Sequence, residues 1–372
     1  MAQIVFSGAG CRRDVSTFLQ RSGAGKCLIV CNYAAEDQKL DDFLAKAGIS
    51  YIYFTDFGSN PLYENVCHGI SIYLSNKCDS IIAVGGGSAI DVAKCIKLYC
   101  KMDAGVNYLR QKCFDSGIPL IAVPTTAGTG SESTRFAVIY FEGQKQSITH
   151  ESIIPNAIVL DAELLRSLPL YQKKCTMLDA LCQGIESWWS VNSTEESKEY
   201  SKKAINGIIN NMDTYLANED DLDSAQRIMD SANYAGRAIN ITQTTGPHAM
   251  SYKLTSLYHL PHGHAVAICL PKVWEYMLCH MDKCVDPRGI DYLTATFSEI
   301  SVLMGQPSPE ESVEWFEHLL QRLEITRPHG CAADIEVLAS SVNPVRLKNN
   351  PIMFNNEDFQ LLYRKIVMED TK

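Results

Sequence analysis

Residues 80–100, SIIAVGGGSAIDVAKCIKLYC, pass from an unbroken apolar run through three consecutive glycines directly into a helical pattern. Residues 81–84 read as a short buried strand, Gly85, Gly86 and Gly87 as a tight turn, and Ala89 onward as a helix. The same alternation runs from Gly25 to about Asp161. Short apolar runs (CLIVC, SYIYF, SIIAV, PLIAV, AIVLD) are separated by helical stretches such as EDQKLDDFLAKAG and LYENVCHGISIYLSNK. Strands separated by helices imply a parallel sheet with helices on its faces. After Pro169 the pattern changes to long helical segments, among them CTMLDALCQGIESWWS, TEESKEYSKKAINGIINNMDTYL, SAQRIMDSANYAGRAIN and ESVEWFEHLLQRL. The expected organisation is an α/β nucleotide-binding domain with a Rossmann-like parallel sheet over residues 1–165, then an all-α domain over 166–372, with the active site in the cleft between them.

The glycines carry a chemical expectation as well. Without side chains, the backbone at Gly85, Gly86 and Gly87 can approach a diphosphate, whose charge is met by free N–H groups at the helix start. Ser88 can cap that helix or donate to a phosphate oxygen. The run is neither a G-x-G-x-x-G fingerprint nor a Walker loop, because no Gly-Lys-Ser/Thr follows. A second run, IPLIAVPTTAGTGSESTRFAVIY, repeats the strand-then-turn pattern, and Thr125, Thr126, Thr129 and Ser131 offer hydroxyls and amides at close spacing. Such a loop suits ribose and phosphate oxygens, although solvated Thr/Ser loops are also common.

The helical half carries a different chemistry. His248 and His262 lie fourteen residues apart in GPHAMSYKLTSLYHLPHG and follow Asp179 in TMLDALCQGIE. Two neutral imidazoles and one carboxylate suit a divalent Zn or Fe ion and leave a coordination position open for a substrate oxygen. The spacing lacks the i, i+4 geometry of a helical metal motif, so the pair gains weight only beside the two loops. Glu186 follows Asp179 by seven residues, hence on a similar helix face, and reads as a structural partner.

These segments together resemble the iron-containing (group III) alcohol dehydrogenases across nearly the whole chain. AVGGGSAIDVAK, VPTTAGTGSE, IPNAIVLDAELLRSLP, DALCQGIE and HAMSYKLTSLYHLPHGHAVAICLP are each similar to a family segment. The resemblance implies a dehydroquinate synthase-like fold, NAD or NADP, one divalent metal (Fe2+ or Zn2+) and a homodimer or larger homo-oligomer. It implies Asp179, His248 and His262 as ligands, with Gln183 where the family usually has a ligand histidine. Tyr252 replaces a second histidine, one turn after His248, and is a candidate to pass a proton to the substrate or to position it. Asp91, Lys94 and Lys145 fall at cofactor-side positions, and Asn32 sits where NAD-preferring members carry an aspartate that would repel a 2′-phosphate. Arg237 and Lys253 supply cations where typical members are uncharged, and this variant pattern resembles the phosphonoacetaldehyde reductase branch. Simple alcohol oxidation, a dehydroquinate synthase-like lyase reaction and a non-catalytic descendant are the rival readings.

Composition narrows the setting. A formal charge of −10 disfavours nucleic acid or anionic membranes as partners, and a hydrophobic fraction of 46% is ample for burial. Fourteen cysteines without a C-x2-C pair fit reduced, buried thiols in the cytoplasm. There is no signal-peptide h-region and no apolar run long enough for a membrane span.

Overall fold

All six residues of the strand Ser80–Gly85 are buried, and it lies inside a six-stranded parallel sheet. This is seen in a computed structural model that describes residues 3–32, 38–344 and 346–368. The strands are β1 (Ile4–Ser7), β2 (Lys26–Cys31), β3 (Ser50–Phe54), β4 (Ser80–Gly85), β5 (Leu120–Pro124), β6 (Phe136–Phe141), β7 (Gln144–Thr149) and β8 (Ala157–Leu160). The sheet order is β1-β8-β5-β4-β2-β3, with Cys31 paired to Val84 and Gly85 to Pro124. From β2 the chain moves outward to β3, then returns to the other side of β2 as β4. The carboxyl ends of β2 and β4 therefore form a topological switch point, the place where open α/β sheets leave a crevice for a ligand. Asn32 and the glycine turn follow those two strand ends.

Alternating strand residues bury opposite faces. Ile29, Ile82, Val84, Ile121, Val123 and Val159 share one core with Phe18 and Leu19 of α1 (Asp14–Arg21) and Leu40 and Leu44 of α2 (Gln38–Lys46). Next come α3 (Tyr63–Ser75) and α4 (Gly87–Tyr99), with α4 packed against β2, β4 and β5. The five apolar runs read as strands are β2, β3, β4, β5 and β8. Three strands lay outside that reading. Strand β1 pairs with β8 at a sheet edge, and β6 with β7 forms a separate antiparallel hairpin. The hairpin turns at Glu142 and Gly143, both at positive φ as a tight two-residue hairpin requires.

The helical half contains α5 (Leu170–Trp189), α6 (Glu195–Ala217), α7 (Leu222–Thr242), α8 (Gly246–Tyr258), α9 (His262–Cys279), α10 (Ile290–Leu303), α11 (Pro309–Arg322), α12 (Ala332–Ser340) and α13 (Asn356–Val367). Helix α5 packs against α6, α9 and α10, and its last residue, Trp189, meets Trp274 and Phe297 edge-on in the core. Among the described residues no helix is long and apolar enough to cross a membrane.

The chain divides into two compact units. One runs to Leu168 and includes Asn218–Gly236; the other comprises Pro169–Ala217 and Arg237 onward. The stretch to Gly236 groups with the sheet because α7 crosses the second predicted loop at a pair of glycines. A Cβ on Gly130 would lie 2.4 Å from the Gly236 Cα, and one on Gly236 would lie 2.6 Å from the Gly130 carbonyl oxygen. Gly130 also holds φ at +61°, so both its conformation and its neighbour require glycine. Asn233, one turn before Gly236, donates to Glu132 Oε1 at 3.1 Å and to Ser133 Oγ at 2.5 Å.

Gly236→Ala adds only a methyl group, but into a backbone contact that cannot yield. Overpacking of this kind costs about 1–3 kcal/mol or more. The variant should show a clearly lowered chemical-denaturation midpoint; an unchanged midpoint would mean that α7 does not press on the loop.

Candidate metal and nucleotide sites

Asp179 and Glu186 sit two turns apart on one face of α5, and both address the imidazole of His248 from α8. Asp179 Oδ1 lies 3.3 Å from His248 Nε2, while Glu186 Oε2 takes the hydrogen bond from His248 Nδ1. The other Glu186 oxygen accepts the Thr245 N–H at 3.0 Å, the Thr245 hydroxyl at 2.9 Å and the His248 N–H at 3.3 Å. Those amides belong to the start of α8, where intrahelical acceptors are missing, so one buried carboxylate replaces a cap. Because a carboxylate accepts, Nδ1 carries a proton towards Glu186, and Nε2 is the nitrogen that faces Asp179 and that would ligate an ion once its own proton is lost.

His262 completes the group. It opens α9, and its Nε2 lies 4.0 Å from Asp179 Oδ1. The ligand-type atoms of Asp179, His248 and His262 all lie within 4.8 Å of one another. Gly263 makes this approach possible: a Cβ there would fall 2.0 Å from the Cys175 carbonyl oxygen and 2.9 Å from the Asp179 Cβ. Only a glycine lets the start of α9 rest directly on the α5 backbone. His264 turns elsewhere, one ring nitrogen within 2.7 Å of the Tyr171 hydroxyl and the other within 2.7 Å of the Thr326 carbonyl. His259 is exposed in the left-handed conformation that ends α8.

Two atoms reveal what this group suits. Asp179 Oδ1 and His248 Nε2 are both buried, and neither finds a hydrogen-bond partner among the described residues. Leaving such atoms unsatisfied is costly, and a divalent cation would satisfy both together. Two imidazoles and a carboxylate form a donor set that fits Zn2+ or Fe2+. Burial works against the Asp179 anion, but His262, His248 and a hydrogen bond from the Gln183 amide outweigh it and keep its pKa below the usual value. For His248, burial opposes charge, yet Glu186 and Asp179 prevail and hold its pKa up at about 9. Gln183 is buried one turn after Asp179. Tyr252, one turn after His248, stacks on the His262 ring with centroids 5.6 Å apart. Lys253 is half-buried on the same helix, and the Arg237 guanidinium lies 5.9 Å over the Tyr200 ring.

In the sheet unit the two predicted loops meet. A Cβ on Gly86 would touch Thr126 at 3.4 Å, and one on Gly87 would crowd Thr129 at 3.1 Å. Gly85 holds φ at +149°, faces the Ala89 Cβ at a would-be 2.8 Å, and has Asn32 Oδ1 at 3.7 Å from the same point. The Thr125 N–H donates to the Gly85 carbonyl at 3.1 Å, tying one loop to the other. The result is a bare-backbone cradle at the start of α4, beside Asn32 at the switch point, which fits a dinucleotide diphosphate. Ser88 does not cap the helix. Gly86 holds the cap position, and the Ser88 hydroxyl donates to the Ser59 carbonyl at 2.7 Å. Asp91 accepts from the Ser131 hydroxyl at 2.6 Å and from the Val138 N–H at 2.9 Å, so these two side chains brace the second loop. Lys145 lies in β7 opposite Tyr140, and its charge favours the Asp91 carboxylate.

Thr245 and Gly263, which help build these sites, escaped the sequence reading, whereas the resemblance already puts Lys94 with Asp91 on the cofactor side. Lys94 is fully buried and donates to the carbonyls of Ser131, Thr134 and Phe136, the latter two at 2.7 Å. Desolvation lowers its pKa to about 8. Thr245 and Gly263 carried no signal beyond their proximity to the histidines.

His262→Ala should abolish retention of a divalent ion, since two remaining ligands hold a catalytic ion poorly. Glu186→Gln should weaken metal affinity by on the order of 10–100-fold by disturbing the orientation of His248. Chelator competition with metal analysis reads both, and unchanged retention in either variant would remove that residue from the site.

Comparison with known proteins agrees with this geometry. Residues 2–162 match the profile of iron-containing alcohol dehydrogenase, and residues 174–367 that of the C-terminal part of the Fe-containing alcohol dehydrogenase family. Phosphonoacetaldehyde reductase of Streptomyces viridochromogenes is 31% identical over 311 residues, covering 79% of this chain and 78% of that one. Alcohol dehydrogenase 4 of Saccharomyces cerevisiae is 29% identical over 97% of this chain and 96% of its own. Among solved structures, the iron-containing alcohol dehydrogenase of Thermococcus thioreducens superposes with a TM-score of 0.90 at 22% identity, covering 99% of each chain. Sulfoacetaldehyde reductase of Bifidobacterium kashiwanohense in complex with NAD+ superposes with a TM-score of 0.88 at 24% identity, covering 99% of this chain and 98% of that one.

Proposed function

This chain belongs to the iron-containing alcohol dehydrogenase family and is an oxidoreductase, and we propose that it reduces small aldehydes bearing an anionic head group, phosphonoacetaldehyde to 2-hydroxyethylphosphonate first among them. The observation that carries the oxidoreductase chemistry is the pair of buried, unsatisfied atoms on Asp179 and His248. Asp179, His248 and His262 would hold the metal, with Gln183 alongside, and the glycine cradle with Asn32, Thr126 and Thr129 would hold NAD or NADP. When bound, a divalent ion polarises the substrate oxygen and the nicotinamide exchanges a hydride with the carbon.

The chain's own residues supply the rest. Glu186 keeps His248 in one tautomer and one orientation throughout. The Tyr252 phenol, one turn from His248 and beside His262, serves as the hydroxyl that passes a proton to the product oxygen. Asn32 lacks the negative charge that would exclude a 2′-phosphate, so either dinucleotide can be accepted. Arg237 and Lys253 are the cations proposed to meet the phosphonate, with Arg237 offering the better fork. A simple alcohol/aldehyde pair is the second reading. It is favoured by the Arg237 position over Tyr200 and by a 29% identical NAD-dependent methanol dehydrogenase from Bacillus methanolicus. A reducing cytoplasmic setting agrees with fourteen cysteines that are all free thiols, and homo-oligomeric assembly is carried over from the family resemblance.

Phosphonoacetaldehyde should be reduced with far higher kcat/KM than propanal, which lacks the anion. Arg237→Met should cost roughly 2–4 kcal/mol of that preference if the guanidinium pairs with a buried phosphonate. Equal losses for both aldehydes, or a wild-type preference for propanal, would select the simple alcohol/aldehyde reading. For the cofactor, Asn32→Asp should penalise NADPH more than NADH in steady-state kinetics. An unchanged ratio would place Asn32 away from the adenosine ribose.

A further inference from the structure

The two imidazoles of the metal site are held by different means. His248 has a buried carboxylate behind Nδ1 and both carbon edges inside the protein, with only 4% of its side chain exposed. His262 starts a helix, leaves 35% of its side chain exposed, and offers a ring face to Tyr252. The Tyr252 and His262 planes are 11° apart with centroids 5.6 Å apart, an offset stack. The two histidine rings meet edge-on instead, at 69° and 5.4 Å. Tyr252 and His248 occupy successive turns of α8, the helix anchored by Glu186. The stack therefore passes the rigidity of that anchored helix to the imidazole at the start of α9.

We propose that the aromatic ring of Tyr252 is a positioning residue for the metal ligand His262, holding the imidazole plane so that Nε2 faces Asp179. This role belongs to the ring, and it is separate from any proton carried by the hydroxyl. It rests on the reading of Asp179, His248 and His262 as metal ligands. The His262 imidazole is a third exposed at a helix start, and rotation about its χ1 or χ2 would move Nε2 away from Asp179. A flat partner parallel to the ring removes most of that freedom before the ion arrives, which raises affinity without adding a ligand.

The test uses the full chain, stripped of metal, as wild type, Tyr252→Phe and Tyr252→Leu. Zn2+ affinity is read by competition with a chromophoric chelator, and ligand geometry by the visible absorption of the Co2+ form. Tyr252→Phe keeps the stack and should bind Zn2+ within about twofold of wild type with the same Co2+ spectrum. Tyr252→Leu should bind roughly three- to tenfold more weakly, the range expected for loss of one aromatic pair, with a shifted Co2+ spectrum. Melting of the metal-free proteins checks folding, and Tyr252→Met replaces the leucine variant if that one is unstable. Equal affinity for wild type and the aliphatic variant would overturn the proposal while leaving the ligand set intact. So would a phenylalanine variant as weak as leucine, which would assign the effect to the hydroxyl. A wild-type protein that binds no Zn2+ would overturn both the proposal and the ligand set.

Discussion

Glu186 is fully buried and serves two purposes with one carboxylate. Its oxygens satisfy the amides at the start of α8, which no preceding turn can reach, and the same group fixes the His248 ring. A buried carboxylate is tolerable only because four donors surround it: the Thr245 N–H and hydroxyl, the His248 N–H and the His248 Nδ1–H. Removing any donor would leave negative charge under-satisfied in the interior. The position of α8 relative to α5, the tautomer of His248 and the direction of its Nε2 thus follow from a single residue.

The remaining geometry depends on places where backbones touch without side chains between them. Gly263 lets α9 rest on the Cys175 carbonyl, which brings His262 to Asp179. Gly130 and Gly236 let α7 press on the loop that carries Thr129 and Ser131. Gly86 and Gly87 let that loop close on the start of α4. Buried charge secures what the glycines permit. Lys94 gathers three carbonyls of the second loop, and Asp91 takes a hydroxyl and an amide from the same region. These contacts hold the shape of the cradle without a ligand, which would lower the ordering cost of binding a dinucleotide there.

Much of this was legible from residue pattern alone. The apolar runs ending at Cys31 and Gly85 announced buried parallel strands, because both of their faces are covered and their hydrophobic pattern is unbroken. Asp179, His248 and His262 could be named from residue type once the resemblance supplied their register. The edge strand Ile4–Ser7 is too short and too exposed to give a clear pattern, and the hairpin at Glu142 and Gly143 turns on backbone angles that residue type suggests only weakly. Ser88 looked like a cap because serine favours that position, yet the cap falls two residues earlier, at Gly86, and no side chain caps the helix. Thr245 and Gly263 stayed hidden because their roles are contacts across long stretches of sequence. A hydroxyl reaching Glu186 and a missing Cβ over Cys175 become visible only when the helices are packed.

The central claim is that α5, α8 and α9 assemble one divalent-ion site from Asp179, His248 and His262. X-ray absorption at the metal edge of the iron- or zinc-loaded protein tests it most directly. The account predicts a first shell of nitrogen and oxygen at about 2.0–2.2 Å together with the outer-shell scattering of two imidazole rings. A spectrum without imidazole scattering, or one belonging to a fully hydrated ion, would contradict it.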